Sequence, residues 1–407
     1  MKKILIKNAR CILKGEISAP IRKPHPDRLE SELNNVLISA TGIEGVYSTA
    51  HPHPIDPMLE VVDAEGKVLM PSFVDCHTHS CWSGDRVDEW NCKLAGKSYL
   101  DILRSGGGIM STVRAVRDSN QDTLTEDLLG RLESMLAFGT TTVEVKSGYG
   151  LRIDDELKML RAIQEAGNLW CGRVVPTACI GHAIDPGENQ ESFVTRTIDE
   201  VLPAVSNEFP GIAIDAYCEN GAWSLNECKR LTSAAIKLGH PIRIHADQFH
   251  SLGMTPYAIQ QGFVSVDHLE ATTEEDLSLL ARSATFGVML PICGLHVDMR
   301  FADGKSFLQH GGMLAIATNN NPGSAPCVSM QMAIALAVRF NHLSPAEALV
   351  ASTINPSRLL GLNDTGNIFV GQRADLMLLK TKDERNLAYE IGGNLVDSVF
   401  VGGQKVI

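Results

Sequence analysis

None of the ten cysteines forms a CxxC pair, and several lie inside apolar, strand-like runs. That absence argues against a disulfide framework or a thiolate zinc knuckle, and leaves reduced, buried thiols as the simpler reading. Basic excess is also lacking: Lys and Arg number 36 against 48 Asp and Glu, for a formal net charge of −12. A chain this acidic disfavours nonspecific binding to nucleic acid or to an anionic membrane. No long hydrophobic run opens the chain either. Residues 1–10 carry three lysines and only the short stretch Ile4 to Ile6, too brief for a signal peptide or a membrane span, so a cytoplasmic location is expected.

What is present is ample material for a core. With 407 residues, 44 % of them hydrophobic, the chain exceeds a single small domain, and one barrel of roughly 250 residues plus a satellite would account for it. From about residue 70, short apolar runs alternate with amphipathic helical stretches, as βα units do. Eight candidate strands follow: 69–75, 141–145, 173–180, 212–217, 242–246, 263–267, 286–290 and 313–318. They predict an α/β fold, a closed (β/α)8 TIM-like barrel over residues 70–359. Residues 1–69 and 360–407 read as short strands and turns that would pair into one small β-sandwich domain, with residues 16–35 as a loop. Ser224 with Glu227, and Thr272 with Glu275, have capping-box spacing at helix starts. Leu128, Leu129, Leu132, Met135 and Leu136 share one helical face suited to packing on the barrel. His51 and His53 sit between prolines in HPHP, a poor setting for a ladder and a weak metal candidate.

The chemistry gathers at strand ends. VDCHTHS places His77 and His79 at i, i+2, so both imidazoles leave the strand on one face, and two neutral imidazoles suit a divalent metal. The fifth strand ends RIHADQF, which by the same alternation aims His245 and Asp247 one way, and the sixth ends VDHLE with His268. Active sites of such barrels lie at the C-terminal strand ends, where these residues would converge.

Through HTH after strand one, the histidines after strands five and six, and the tail GNIFVGQRADLMLL, the chain resembles the amidohydrolase superfamily. Within it the similarity is greatest to the imidazolonepropionase family of histidine degradation, carried by SGDR at 83–86, LAGKSYLDI at 94–102, GGGIMSTV at 106–113, VEVKSGYGL at 143–151, GHA at 181–183, HADQ at 245–248, DHLE at 267–270 and NPGS at 321–324. The resemblance implies metal-dependent opening of a cyclic amide, 4-imidazolone-5-propanoate to N-formimidoyl-L-glutamate. It implies one divalent ion, zinc or iron, held by His77, His79, His245 and the residue at the tip of strand eight. It further implies that Arg86, Tyr99, Tyr149 and His182 grip a carboxylate-bearing small molecule, that His268 polarises the carbonyl under attack, and that the protein is a homodimer. An arginine fork and tyrosine hydroxyls suit a carboxylate.

One position departs from that pattern. Where the family has an aspartate that binds metal and carries a proton, ATNNNPGS presents Asn319, whose amide keeps an oxygen but cannot accept a proton at neutral pH. Asp247 is a candidate substitute, or else supports a histidine ligand. The alternatives left open are a relative acting on a related propionate-bearing ring, such as a hydantoin or thioxo-imidazolidine, and an inactive or engineered Asp-to-Asn variant that only binds ligand.

Overall fold

The computed structural model describes residues 3–22, 33–50, 59–96 and 107–407, so Tyr99 and the HPHP stretch lie outside the described residues. Eight parallel strands follow one another around a barrel: β1 Phe73–Asp75, β2 Thr140–Lys146, β3 Arg173–Gly181, β4 Ala213–Cys218, β5 Ile242–Ala246, β6 Ser265–His268, β7 Phe286–Met289 and β8 Leu314–Ile316. Just beyond the last strand and the first, the Asn319 amide donates to the His77 carbonyl at 3.0 Å and the His79 amide to that of Asn320 at 2.9 Å. The seam is thus joined by the residues that carry the candidate metal site. Below them the Thr318 amide and hydroxyl both donate to the Asp75 carboxylate.

Helices cover the outside. On Gln121–Ala137 the expected leucine face is buried apart from Leu129, which is only partly so. Ser224 and Glu227 form the expected capping box on Leu225–Lys237. The second expected box is not formed: Thr273, one residue on, caps Glu274–Arg282 by accepting from the Asp276 amide, while the Thr272 hydroxyl donates to Asp247. Among the described residues no helix is long and apolar enough to cross a membrane.

A second sheet is built from both ends of the chain, in the order Gln404–Lys405, Val396–Val401, Leu376–Leu379, Val68–Pro71, Lys3–Cys11, Leu33–Ser39, Gly42–Ser48, with Glu60–Asp63 also pairing with Lys3–Cys11. Its core includes Ile4, Ile6, Val36, Ile38, Leu376, Leu378 and Phe400. The run expected as one strand from Leu69 to Asp75 is therefore two. Pro71 has no N–H to continue a ladder, and the Ser72 amide donates to Asp375, so the chain leaves one sheet at Pro71 and enters the barrel at Phe73.

Strand alternation dictates what fills the barrel. Val143, Val145, Ile214, Ile244 and Val266 belong to the apolar core shared with the helices, while the residues between them are charged. Lys146 Nζ lies 2.7 Å from Glu144 and 2.8 Å from Asp215, and Arg243 lies 3.1 Å from Glu144 and 2.7 Å from Asp267. Burial and the nearby guanidinium of Arg243 oppose the Lys146 charge, yet Asp215, Glu144 and Asp267 outweigh them and raise its pKa. Two cations thus face three carboxylates in a layer closed to water.

Removing one partner of a buried pair leaves the others charged and uncompensated, typically at about 3–5 kcal/mol. Lys146→Met is accordingly expected to lower unfolding free energy by that order, read as a shifted denaturant midpoint at unchanged slope. An unshifted midpoint would mean the layer contributes no such stability.

Candidate metal and active site

The charged layer orients the histidines above it. His77 Nδ1 is 2.6 Å from Asp267 and His245 Nδ1 is 3.0 Å from Asp215, which turns the Nε2 edge of each ring away from its carboxylate. His79 Nε2 and His245 Nε2 stand 3.1 Å apart. Ligand nitrogens of His77, His79 and His245 all lie within 4.8 Å of one another, on rings whose centroids are 4.5 to 5.3 Å apart. Burial, then neighbouring cations and imidazoles, holds His77 and His79 well below the usual imidazole pKa. Burial also lowers His245, against the pull of Asp215.

These features fit a metal. Ligation requires neutral imidazole, and two nitrogens on one small tetrahedral ion sit about 3.3 Å apart. Buried polar atoms without a hydrogen-bond partner would otherwise be costly, and His77 Nε2 and Asn319 Oδ1 are two such atoms at this place. Asn319 turns out of β8 with φ 55°, its amide on His77, and offers a neutral oxygen where the superfamily resemblance led us to expect a carboxylate.

The structure also brings His268, Tyr149 and His182 to the triad. By alternation His268, next to inward-facing Asp267, would point away, but its φ of 96° swings the ring to 5.6 Å from His245 and 6.0 Å from His77. His182 stacks on His79 at 4.7 Å and 15°, its Nδ1 3.0 Å from the Gly148 carbonyl, and burial lowers it to about 3. Gly148 has φ 114°, and a Cβ there would meet the Cys179 carbonyl at 2.8 Å and His182 at 2.9 Å, so glycine is required for this contact. Tyr149 is buried, 6.0 Å from His79, and burial pushes its phenol pKa up. Arg86 lies at the NPGS turn, where a Cβ on Gly323 would come within 2.7 Å of Nη1. Its fork is engaged by Glu89 at 2.7 Å, and Glu89 also accepts from the Gly108 amide at the head of the helix Ile109–Asp118.

Asp247 is placed differently from the alternation argument. The strand ends at Ala246, Asp247 has φ 58°, and its Oδ2 accepts the hydroxyls of Thr255 at 2.7 Å and Thr272 at 2.9 Å. Among the described residues it does not join the grouped ligand atoms of the triad.

Several residues of this mouth were not singled out from sequence. The Tyr217 hydroxyl donates to Gln248 Oε1 at 2.7 Å, and Gln248 Nε2 donates to Cys293 Sγ at 3.4 Å. Glu270 lies 3.3 Å from His268 Nδ1. Period-two alternation would have found Tyr217, two residues after Asp215. It could not have found Cys293, which enters from the helix Pro291–Val297.

Comparison with known proteins agrees with the geometry. Imidazolonepropionase of Herpetosiphon aurantiacus is 43 % identical over 359 residues, 85 % of this chain and 84 % of that one. Imidazolonepropionase of Deinococcus radiodurans is 41 % identical over 363 residues, 89 % and 90 % of the two chains. The structure of 5-methylcytosine deaminase from Klebsiella pneumoniae superposes with a TM-score of 0.74 at 16 % identity, covering 99 % and 98 %, and shares the fold. So does E. coli guanine deaminase, at a TM-score of 0.74 and 15 % identity over 100 % and 99 %. The profile of the Amidohydrolase family matches residues 68–406, so the chain belongs to the amidohydrolase family.

Proposed function

We propose that the protein hydrolyses the cyclic amide of 4-imidazolone-5-propanoate to N-formimidoyl-L-glutamate, with one zinc or iron ion at His77, His79, His245 and Asn319. The observation that carries this reading is the convergence of three neutral, buried imidazoles on one point in a chain about 40 % identical to imidazolonepropionases. Ten unpaired thiols, most of them buried, support a reducing compartment such as the cytoplasm. When bound, the divalent ion supplies Lewis-acid polarisation and a lowered water pKa.

The chain's own residues do the rest. Arg86 meets the propionate at the rim, exchanging part of its Glu89 pairing for the incoming carboxylate. His182 and Tyr149 flank the ring beside His79. His268, held through Nδ1 by Glu270, presents its other nitrogen to the carbonyl and is the mouth's proton carrier, because Asn319 cannot take a proton and Asp247 is engaged by two threonines. Water adds to the ring carbonyl carbon, the C–N bond breaks, and the nitrogen leaves with a proton. The neutral pair Asn319 and Gln248 also favours a second reading, a related ring with the same propionate, in which the mouth makes hydrogen bonds rather than charge contacts.

Loss of the imidazolone chromophore in metal-loaded, folded protein tests the first reading, and absence of turnover there would overturn it. Arg86→Ala is expected to lower kcat/KM by about 10–100-fold, chiefly through KM, since the lost contact is a charge-assisted hydrogen bond present before and during reaction. Asn319→Asp should raise kcat by about tenfold or more if a carboxylate base is what this site lacks; a fall would mean the mouth has been rebuilt around the amide.

A further inference from the structure

Beside the triad lies a second concentration of ligand-type atoms. A nitrogen of His268, a carboxylate oxygen of Glu270 and the sulfur of Cys293 all lie within 4.8 Å of one another. They come from two separate places, the end of β6 with the turn after it and the helix after β7; His268 and Cys293 are buried and Glu270 is partly so, its side chain only 6 % exposed. Nothing in the reaction described above uses the sulfur.

Glu270 is the anomaly. Asp215 and Asp267 in the layer below each lie within 2.8 Å of Lys146 or Arg243, whereas among the described residues Glu270 is met by His268 Nδ1, at 3.3 Å from Oε1 and 3.2 Å from Oε2. Charge-assisted hydrogen bonds are normally about 2.7–2.9 Å, and Oε2 is buried without any hydrogen-bond partner. A carboxylate so placed is expensive unless a cation meets it. The long Nδ1 to oxygen separation matches instead two ligands of one small divalent ion, which sit about 3.3 Å apart. On the third side the Cys293 sulfur accepts Gln248 Nε2, a hydrogen bond that a thiolate would strengthen. One carboxylate, one thiolate and one divalent cation sum to zero, the charge a buried site tolerates best.

We propose that His268 Nδ1, Glu270 and Cys293 hold a second divalent metal ion, separate from the one at His77, His79 and His245. Nitrogen, oxygen and sulfur together suit zinc among the common ions. Burial first, then the neighbouring Glu270 carboxylate, push the thiol up to about 12 against hydrogen bonds with Ser324 and Asn319, and binding displaces its proton to solvent as the metal–sulfur bond forms. With Nδ1 on an ion, His268 keeps its hydrogen on Nε2 and only donates to the mouth, so filling this site would replace the proton-carrier role assigned above by hydrogen-bond donation, whichever ring is bound.

Cobalt titration of the metal-free full-length protein tests it without any turnover. The three imidazoles and Asn319 supply no sulfur, so a thiolate-to-cobalt charge-transfer band in the near ultraviolet reports the new site alone. The expected result is about two cobalt ions per chain with that band, falling to about one ion without it in Cys293→Ser. Glu270→Gln, which keeps the side-chain volume, should weaken the second ion at least about tenfold and leave the first bound. Cys179 also neighbours His245, but there Nδ1 is already committed to Asp215, so Cys179→Ser should retain the band. About one ion per chain with no sulfur band, in protein of unchanged circular dichroism and melting, would overturn the proposal. So would a band that survives Cys293→Ser and disappears in Cys179→Ser.

Discussion

The arrangement depends on the pairing of Lys146 and Arg243 with Glu144, Asp215 and Asp267 inside the barrel. A barrel interior is ordinarily filled by branched apolar side chains. Here it is a salt-bridge layer, and ionic layers of this kind are weak contributors to net stability because desolvating the charges offsets their attraction. What the layer supplies is direction. Asp267 and Asp215 hold His77 and His245 by Nδ1, and each has Lys146 or Arg243 beside it in a layer closed to solvent. Burial opposes the Asp215 charge, and His245, Lys146 and Arg243 overcome it, holding its pKa well below the usual carboxylate range. The imidazoles stay neutral, with their free nitrogens turned to one point.

Charge accounting also clarifies the asparagine. Two cations and three carboxylates leave the layer with one net negative charge. A divalent ion above it, with an aspartate at position 319, would bring the sum to zero; with Asn319 it is one unit positive. Inside a region of low effective dielectric such a residual charge is felt over the width of the mouth. The expected consequence is twofold: a loss of base strength, and a gain in attraction for an anionic ligand such as a propionate-bearing ring. Gln248 and Asn319 then act through hydrogen bonds, and the ionisable group left beside the imidazoles is His268 with Glu270 behind it.

Much of this was legible in the chain, for a definite reason. Period-two alternation placed His245 through RIH within β5 and carried on through VDCHTHS past the end of β1 at Asp75, bringing His77 and His79 to the same point, and the same rule applied to VEVK, IDAY and SVD would have shown the charged layer. The eight apolar runs marked the barrel because each is a strand backed by helices. Legibility ended where the backbone turned left-handed. Asp247, His268 and Asn319 all take positive φ, with Leu269 following, and no periodicity survives a left-handed residue. That is why Asp247 points to Thr255 and Thr272 rather than along His245, and why His268 turns inward against its parity. Pro71 marks the same limit at the other end of β1, dividing a continuous apolar run between two sheets. Contacts such as Cys293 with Gln248 join segments 45 residues apart and leave no trace in local pattern.

Those left-handed turns belong to the mechanism of the site. A non-glycine residue at positive φ is disfavoured by roughly 1 kcal/mol or more, and four of them cluster at the C-terminal rim of the strands. Three of the four are held by backbone hydrogen bonds: the Asn319 amide donates to the His77 carbonyl, the Leu269 amide to the Ala246 carbonyl, and the Ala271 amide to the Asp247 carbonyl. Part of the strain therefore lies on His268 and Asn319, two residues that meet the imidazoles, and it is held by a frame whose interior is ionic and whose exterior is apolar. A frame of that kind yields little when a side chain above it changes. Exchanging the carboxylate of the family pattern for an amide at 319 alters the charge of the mouth while leaving the backbone turn, and with it the seam between β8 and β1, able to close as before.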